Sequence, residues 1–237
     1  MKTVTKTFLL FLLISGFGHL YAQNTGRRQQ LDSIAASFVL TAGGYSALYN
    51  GGQQVPPPLA TNHPYLNDKQ FVKARLSYHG VIYPEVLMRF DLSQNELTVL
   101  SPNYRTVVLY PEYVDFAELH GNHIIYYRKD SLPGAPSTGY YNLLYSGKCR
   151  ILGKNTAMIR INYSMRMPHY IFEKKFYLYH DGAYHTIRSK QGVLKVFQPY
   201  KKELKQFIST NHLRFRNNTN LFLVKTAGEY EKLSGSL

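Results

Sequence analysis

Apolar and polar residues alternate through the middle of this chain. Val72, Ala74, Leu76 and Tyr78 alternate with Lys73, Arg75 and Ser77, the period of two that turns one face of a strand inward. Further strands are expected over 81–92, 97–100, 106–110, 113–119 and 123–128, then over 140–145, 149–152, 157–163, 171–180 and 183–188. Pro84 lacks an amide donor, so its strand is expected to lie at an edge or carry a bulge. Turn chemistry separates these runs at His79-Gly80, Gln94-Asn95, Gly121-Asn122, Ser146-Gly147 and Asp181-Gly182. Asp-Gly between alternating runs is among the strongest short hairpin signals. About ten short strands at this spacing predict an antiparallel meander, open or half-barrel-like.

The flanking segments have another period. Leu31, Ile34, Ala35 and Phe38 share a helical spacing, so a short N-terminal helix is predicted. Gly43-Gly44, Gly51-Gly52, Pro56-Pro57-Pro58 and Pro64 make 42–66 an ordered loop region. Past residue 189, Ser189 is placed to cap a helix carrying Val193, Leu194 and Phe197. Pro199 kinks that helix or starts the next, which carries Leu204, Phe207 and Ile208 opposite Lys201, Lys202 and Lys205, with Asn211 as its C-cap. A last helix is predicted from Asn220 to Leu233. The expected class is therefore α+β. Residues 23–70 hold the N-terminal helix and Gly/Pro-rich loop, 71–189 the meander, and 190–237 the helices packed on the same domain.

The first 22 residues look removable. Lys2 and Lys6 form a positive start, Phe8 to Phe17 an apolar run, and Leu20-Tyr21-Ala22 ends on a small residue, leaving Gln23 as the expected new terminus. The apolar run is shorter than the roughly 20 residues a helix needs to span a bilayer. No later run approaches that length, so no transmembrane segment is expected after cleavage.

Composition then narrows the partners. Lys and Arg number 28 against 14 Asp and Glu, a formal charge of +14, which favours anionic surfaces such as lipid headgroups or acidic glycans. The clusters are short, at Lys174-Lys175 and Lys201-Lys202. Basic residues interleaved with aromatics over 160–188 would suit single-stranded nucleic acid, but export makes that an unexpected target. The 21 Tyr and 13 Phe fit half-exposed strands, where a ring packs and a hydroxyl reaches water. A single cysteine, Cys149, allows no intramolecular disulfide and is expected to be buried.

Catalytic signatures are weak. His120 and His123 have HxxH spacing across a turn rather than on one helical face. His79, His180 and His185 sit at other hairpin ends, where solvent exposure is expected. Asp91 and Glu96 flank one turn, as paired carboxylates or a charged hairpin mouth. The chain contains no G-x-S-x-G, P-loop or GxGxxG. No residue is therefore assigned a catalytic, cofactor-binding or metal-ligating role, and no cofactor is expected.

Leu48-Tyr-Asn-Gly51, Asn62-His-Pro-Tyr-Leu66, Tyr78-His-Gly-Val-Ile-Tyr83, Gly139-Tyr-Tyr-Asn-Leu-Leu-Tyr-Ser-Gly147 and Leu178-Tyr-His-Asp-Gly-Ala-Tyr184 with Ser189-Lys190 resemble segments of a family of exported proteins of Bacteroidota. The Ala22-Gln23 junction is similar to signal peptides of that group. Asp32-Ser33-Ile34 and Asp130-Ser131-Leu132 are similar to its O-glycosylation signal. The resemblance implies location and phylum, in the periplasm, at the outer membrane or outside the cell, and carries over no functional residues. Binding rather than catalysis is the expected activity: carriage of a lipid or other apolar ligand in the cell envelope. The alternatives are a secreted module for a protein or anionic glycan, and a hydrolase without a recognised motif.

Overall fold

The structure is a computed structural model and describes residues 47–162 and 167–235. The expected leader 1–22 and the helix around Leu31 to Phe38 lie outside the described residues. Eleven strands form one antiparallel sheet: β1 (Gly52–Gln53), β2 (Val72–Tyr78), β3 (Val81–Asp91), β4 (Glu96–Leu100), β5 (Thr106–Val108), β6 (Val114–Leu119), β7 (Asn122–Tyr127), β8 (Gly139–Ser146), β9 (Arg150–Asn162), β10 (Met167–His180) and β11 (Ala183–Ile187). Three helices follow: α1 (Lys190–Val196), α2 (Lys201–Thr210) and α3 (Thr219–Gly235). The α+β class with an open meander is as expected from the sequence.

The sheet order is β1-β5-β4-β3-β2-β6-β7-β8-β9-β10-β11, so the meander grows in two directions from β2. In a flat sheet β5 and β6 would lie four strand spacings apart, about 19 Å. The connection 109–113 includes a 3-10 turn at Pro111–Tyr113 and reaches only about 16 Å. The strands must therefore curl. Inside the curl, Leu76, Met88, Leu97, Val99 and Ala117 are wholly buried, and the Phe90 and Tyr140 rings meet edge to face at 5.7 Å.

Three two-residue turns hold both central residues at positive φ: His79-Gly80 (57° and 74°), His120-Gly121 (50° and 71°) and Asp181-Gly182 (47° and 79°). This is the geometry whose twist matches that of the paired strands. The second lies one residue earlier than Gly121-Asn122. The turn expected at Ser146-Gly147 is instead a three-residue loop between the paired Ser146 and Arg150. Pro84 sits at a bulge, where Pro84 and Glu85 oppose Arg75 alone, and β3 is an interior strand. The expected separate runs 149–152 and 157–163 are one strand, because Gly153 pairs with both Asn142 and Phe176 and is held extended from both sides.

The helices seal the last strands. Ser189 Oγ accepts the Gly192 amide at 3.2 Å and starts α1. Pro199 lies in a 3-10 turn leading into α2, whose end is met by Asn211 donating from Nδ2 to the Phe207 carbonyl. Leu204 and Ile208 are buried, with Phe207 half-buried beside them. They pack with Leu194, Phe197, Phe222 and Leu223 against Ile151, Phe176 and Leu178 of the sheet. The α2 stripe thus faces the core. Among the described residues no helix is long and apolar enough to cross a membrane.

Candidate functional site

The β9–β10 ribbon is longer than its neighbours. Its ladder with β8 starts at Gly153 and its ladder with β11 at Phe176, so the far half of each strand pairs only with the other. One face of the near half, carrying Ile151, Phe176 and Leu178, is buried under the helices. On the same face of the far half, Ala157 and Tyr170 join the core of the curled sheet. Residues 58–62 fasten that end: the Thr61 amide donates to the Pro168 carbonyl, and Asn62 bonds both backbone groups of Tyr170 at 2.7 and 2.9 Å. Arg89, stacked between Tyr65 and Phe71 at 3.9 and 4.3 Å, donates to the Lys69 carbonyl and to Gln54 Oε1 and pins the rest of that segment.

Between these two covers the ribbon is open, and a depression lies on either side of Lys174. The helix-side cleft, about 850 Å³, is basic: Lys174, Lys175, Arg188 and Arg216 line it with Asn217 and Asn218. α3 begins there, with Asn218 Oδ1 accepting the Leu221 amide at 3.0 Å. Its lining carboxylate, Glu173, already lies 3.6 Å from Lys175. The loop-side groove, about 480 Å³, is mostly apolar, with Tyr65, Leu66, Leu92 and Phe172 in its walls. His63 stacks on Tyr65 there at 5.9 Å, its buried Nδ1 without a hydrogen-bond partner among the described residues. Glu173 and Lys174 line both depressions.

Lys174 stands between the two depressions without an acidic partner among the described residues. Its Nζ lies 5.4 Å from the centre of the Phe176 ring, and no carboxylate of the described residues lies within ion-pair distance. The side chain is open to solvent, yet enough protein surrounds the ammonium for desolvation to push its pKa below the usual lysine range. Lys154, further back on the ribbon, is held down to about 8 by burial, above the Tyr141 ring and donating to Asn95 Oδ1.

The other sequence candidates do not converge. His120 is in a turn, while His123 stacks on Phe116 and lies 3.7 Å from Glu118. Among the described residues no three His, Cys, Asp or Glu side chains are placed to hold a metal ion. His180 corrects the expectation of exposed turn histidines: it is buried, its Nε2 2.7 Å from the Tyr230 hydroxyl and its Nδ1 3.3 Å from Asp181. Cys149 is buried, and desolvation, with Glu231 adding to it, pushes the thiol up to about 12, which keeps it from acting as a nucleophile.

Asp91 and Glu96 are register partners with distinct duties. Asp91 Oδ1 accepts the Ser93 amide and hydroxyl and the Gln94 amide at 2.7 to 3.0 Å, building the turn. Burial, and secondarily Asp91, raises the Glu96 pKa. Lys174-Lys175 and Arg188 fall within the basic run over 160–188 that the sequence shows, whereas Arg216, which reaches the cleft from the turn before α3, has no such signal. Asn217-Asn218-Thr219 reads locally only as a sequon. No family model, curated protein or solved structure matches this chain.

Proposed function

We propose that this chain is an exported binding protein of the cell envelope, and that its ligand is an anionic amphiphile held across the two depressions on β10. A phosphate or carboxylate group would lie in the basic cleft and an acyl chain in the apolar groove. The observation carrying this reading is Lys174, a partly desolvated cation without an acidic partner among the described residues, on the wall that the polar and the apolar depression share. Arg188 and Arg216 supply planar donors suited to such an anion. A surface site is favoured over an internal one by the filling of the curled sheet's hollow with Met88, Phe90, Leu97 and Tyr140.

Dodecyl phosphate tests this by titration calorimetry, with inorganic phosphate and a neutral dodecyl glycoside as comparisons. A hydrogen bond to a charged group contributes about 1.5–3 kcal/mol, so Lys174→Gln should weaken dodecyl phosphate binding at least about tenfold. The glycoside and free phosphate should both bind more weakly than dodecyl phosphate. The Asn217-Asn218 lining suits a second reading, a module for acidic glycans. In that case an acidic oligosaccharide would bind and the dodecyl chain would add nothing. Equal binding of dodecyl phosphate to the parent and Lys174→Gln removes the amphiphile reading.

A further inference from the structure

A strand turns its backbone groups to alternate sides, residue by residue. On β10 the even-numbered residues face away from β9. The Pro168 carbonyl accepts the Thr61 amide, and Asn62 bonds the amide and carbonyl of Tyr170. At the other end of the strand, the ladder with β11 takes up at Phe176, opposite Ile187. Phe172 and Lys174 lie between these two attachments. The β9–β10 register has no bulge, so both share the outward parity. Among the described residues nothing bonds their outward N–H and C=O groups.

The cover of the β10 edge therefore has a gap two outward residues long, and the gap is open: Phe172 is 50% exposed and Lys174 is exposed. Asn62, on one side of it, lines the apolar groove, while Ile187 and Arg188, on the other, line the basic cleft. An uncovered sheet edge is a template for another extended amide. A long added strand would meet Asn62 at one end and Ile187 at the other, so the gap suits a single amino acid.

The two depressions set the direction of such a ligand. With its chain in the groove and its anion in the cleft, it lies along β10 from Phe172 towards Phe176. An amide-linked acyl group stands at the amino end of its amino acid and the carboxylate at the other, which is also the direction of β10. Parallel neighbours exchange slanted bonds. One residue donates its N–H to the carbonyl of a strand residue and accepts, at its own carbonyl, the N–H two residues further on. Phe172 and Lys174 supply that carbonyl and that N–H.

We infer that the ligand is an N-acyl amino acid, whose amide N–H donates to the Phe172 carbonyl and whose carboxylate accepts the Lys174 backbone N–H. The acyl chain lies in the groove, and the second carboxylate oxygen faces Arg188 and Arg216. This rests on the amphiphile reading of the two depressions and adds the link that joins chain to anion. Dodecyl phosphate has no amide and leaves both backbone groups to water.

N-dodecanoyl-alanine and O-dodecanoyl-lactate, which differ by an N–H against an ester oxygen, are titrated calorimetrically into the protein alongside dodecyl phosphate. The alanine compound should bind about fivefold more tightly than the lactate compound. Lys174→Pro and Lys174→Gln both remove the charge, but only the proline removes the N–H, at an edge position of the kind Pro168 already occupies. Lys174→Pro should bind N-dodecanoyl-alanine several-fold more weakly than Lys174→Gln does, and dodecyl phosphate equally. The ligand comparison needs no variant and decides alone if the proline variant fails to fold. Equal binding of the alanine and lactate compounds, while Lys174→Gln still weakens dodecyl phosphate, overturns the amide link and leaves the amphiphile reading standing. Equal binding of N-dodecanoyl-alanine to folded Lys174→Pro and Lys174→Gln overturns it too. If none of the three dodecyl compounds binds, both readings fall together.

Discussion

Near the helices, the β9–β10 ribbon has its Ile151, Phe176 and Leu178 face sealed by α1, α2 and α3. Past Lys174 the same two strands carry Ile159, Ile161 and Phe172 into the open. Both halves share one ladder with an unbroken register, so hydrogen bonding does not distinguish them. What differs is whether another part of the chain arrives to cover them. Alternation settles that a segment is a strand. Burial is settled by elements far away in sequence: on the far half the curled sheet covers Ala157 and Tyr170 and residues 58–62 run along the edge at Pro168 and Tyr170, while Ile159, Ile161 and Phe172 stay exposed.

The contrast is sharpest in stability. Leu178 is wholly buried, so Leu178→Ala should cost about 2–5 kcal/mol through lost burial and the cavity left behind. Urea unfolding followed by circular dichroism measures this, and a loss under about 1 kcal/mol would show that the helices do not seal the near half. A smaller effect is expected at the near end of the ribbon, where His180 meets Tyr230. His180→Leu leaves the buried Tyr230 hydroxyl without its partner and should cost about 1–3 kcal/mol. Adding Tyr230→Phe should recover part of that loss. If the double variant is simply additive, the two rings do not act as a pair.

Lys154 gives the smallest signal, in the middle of the ribbon. Its folded pKa, about 8, is below the unfolded value of 10.5, so between these the unfolded chain binds more protons. Its contribution to stability therefore rises with pH across that window. The parent should gain on Lys154→Met in urea midpoint from pH 7.5 to 9.5. The comparison stops near 10, where tyrosine ionisation begins to oppose folding, because burial raises the pKa of Tyr140 and Tyr145 above their unfolded values. A constant difference between the two proteins would mean that Lys154 is fully hydrated.

Features that depend on a few adjacent residues were legible in the sequence. The turns at His79-Gly80 and Asp181-Gly182 follow from which residues tolerate positive φ, and the Ser189 cap from a hydroxyl one turn before an apolar pair. Leu204 and Ile208 could be read as buried from their spacing alone. Long-range pairing could not be read in this way. Gly153-Lys154-Asn155 looks like a chain break, but Asn142 and Phe176 hold it extended. His180 looks exposed until Tyr230, 50 residues later, comes to lie against it. The basic cleft was missed for the same reason, since Lys174, Arg188 and Arg216 become neighbours only after α3 has docked.

The connection from β5 to β6 has a kinetic consequence. Because β6 returns to the free side of β2, β1 to β5 form one wing and all later strands extend the other. The fastening of residues 58–62 to Pro168 and Tyr170 spans sequence separations of 107 to 112 residues. Loops of that size close slowly. Residues 58–62 are therefore among the last to settle, after β10 has emerged. Until then their place on the outer flank of the sheet stays vacant, and the nascent chain remains pliable for most of the time it takes to appear.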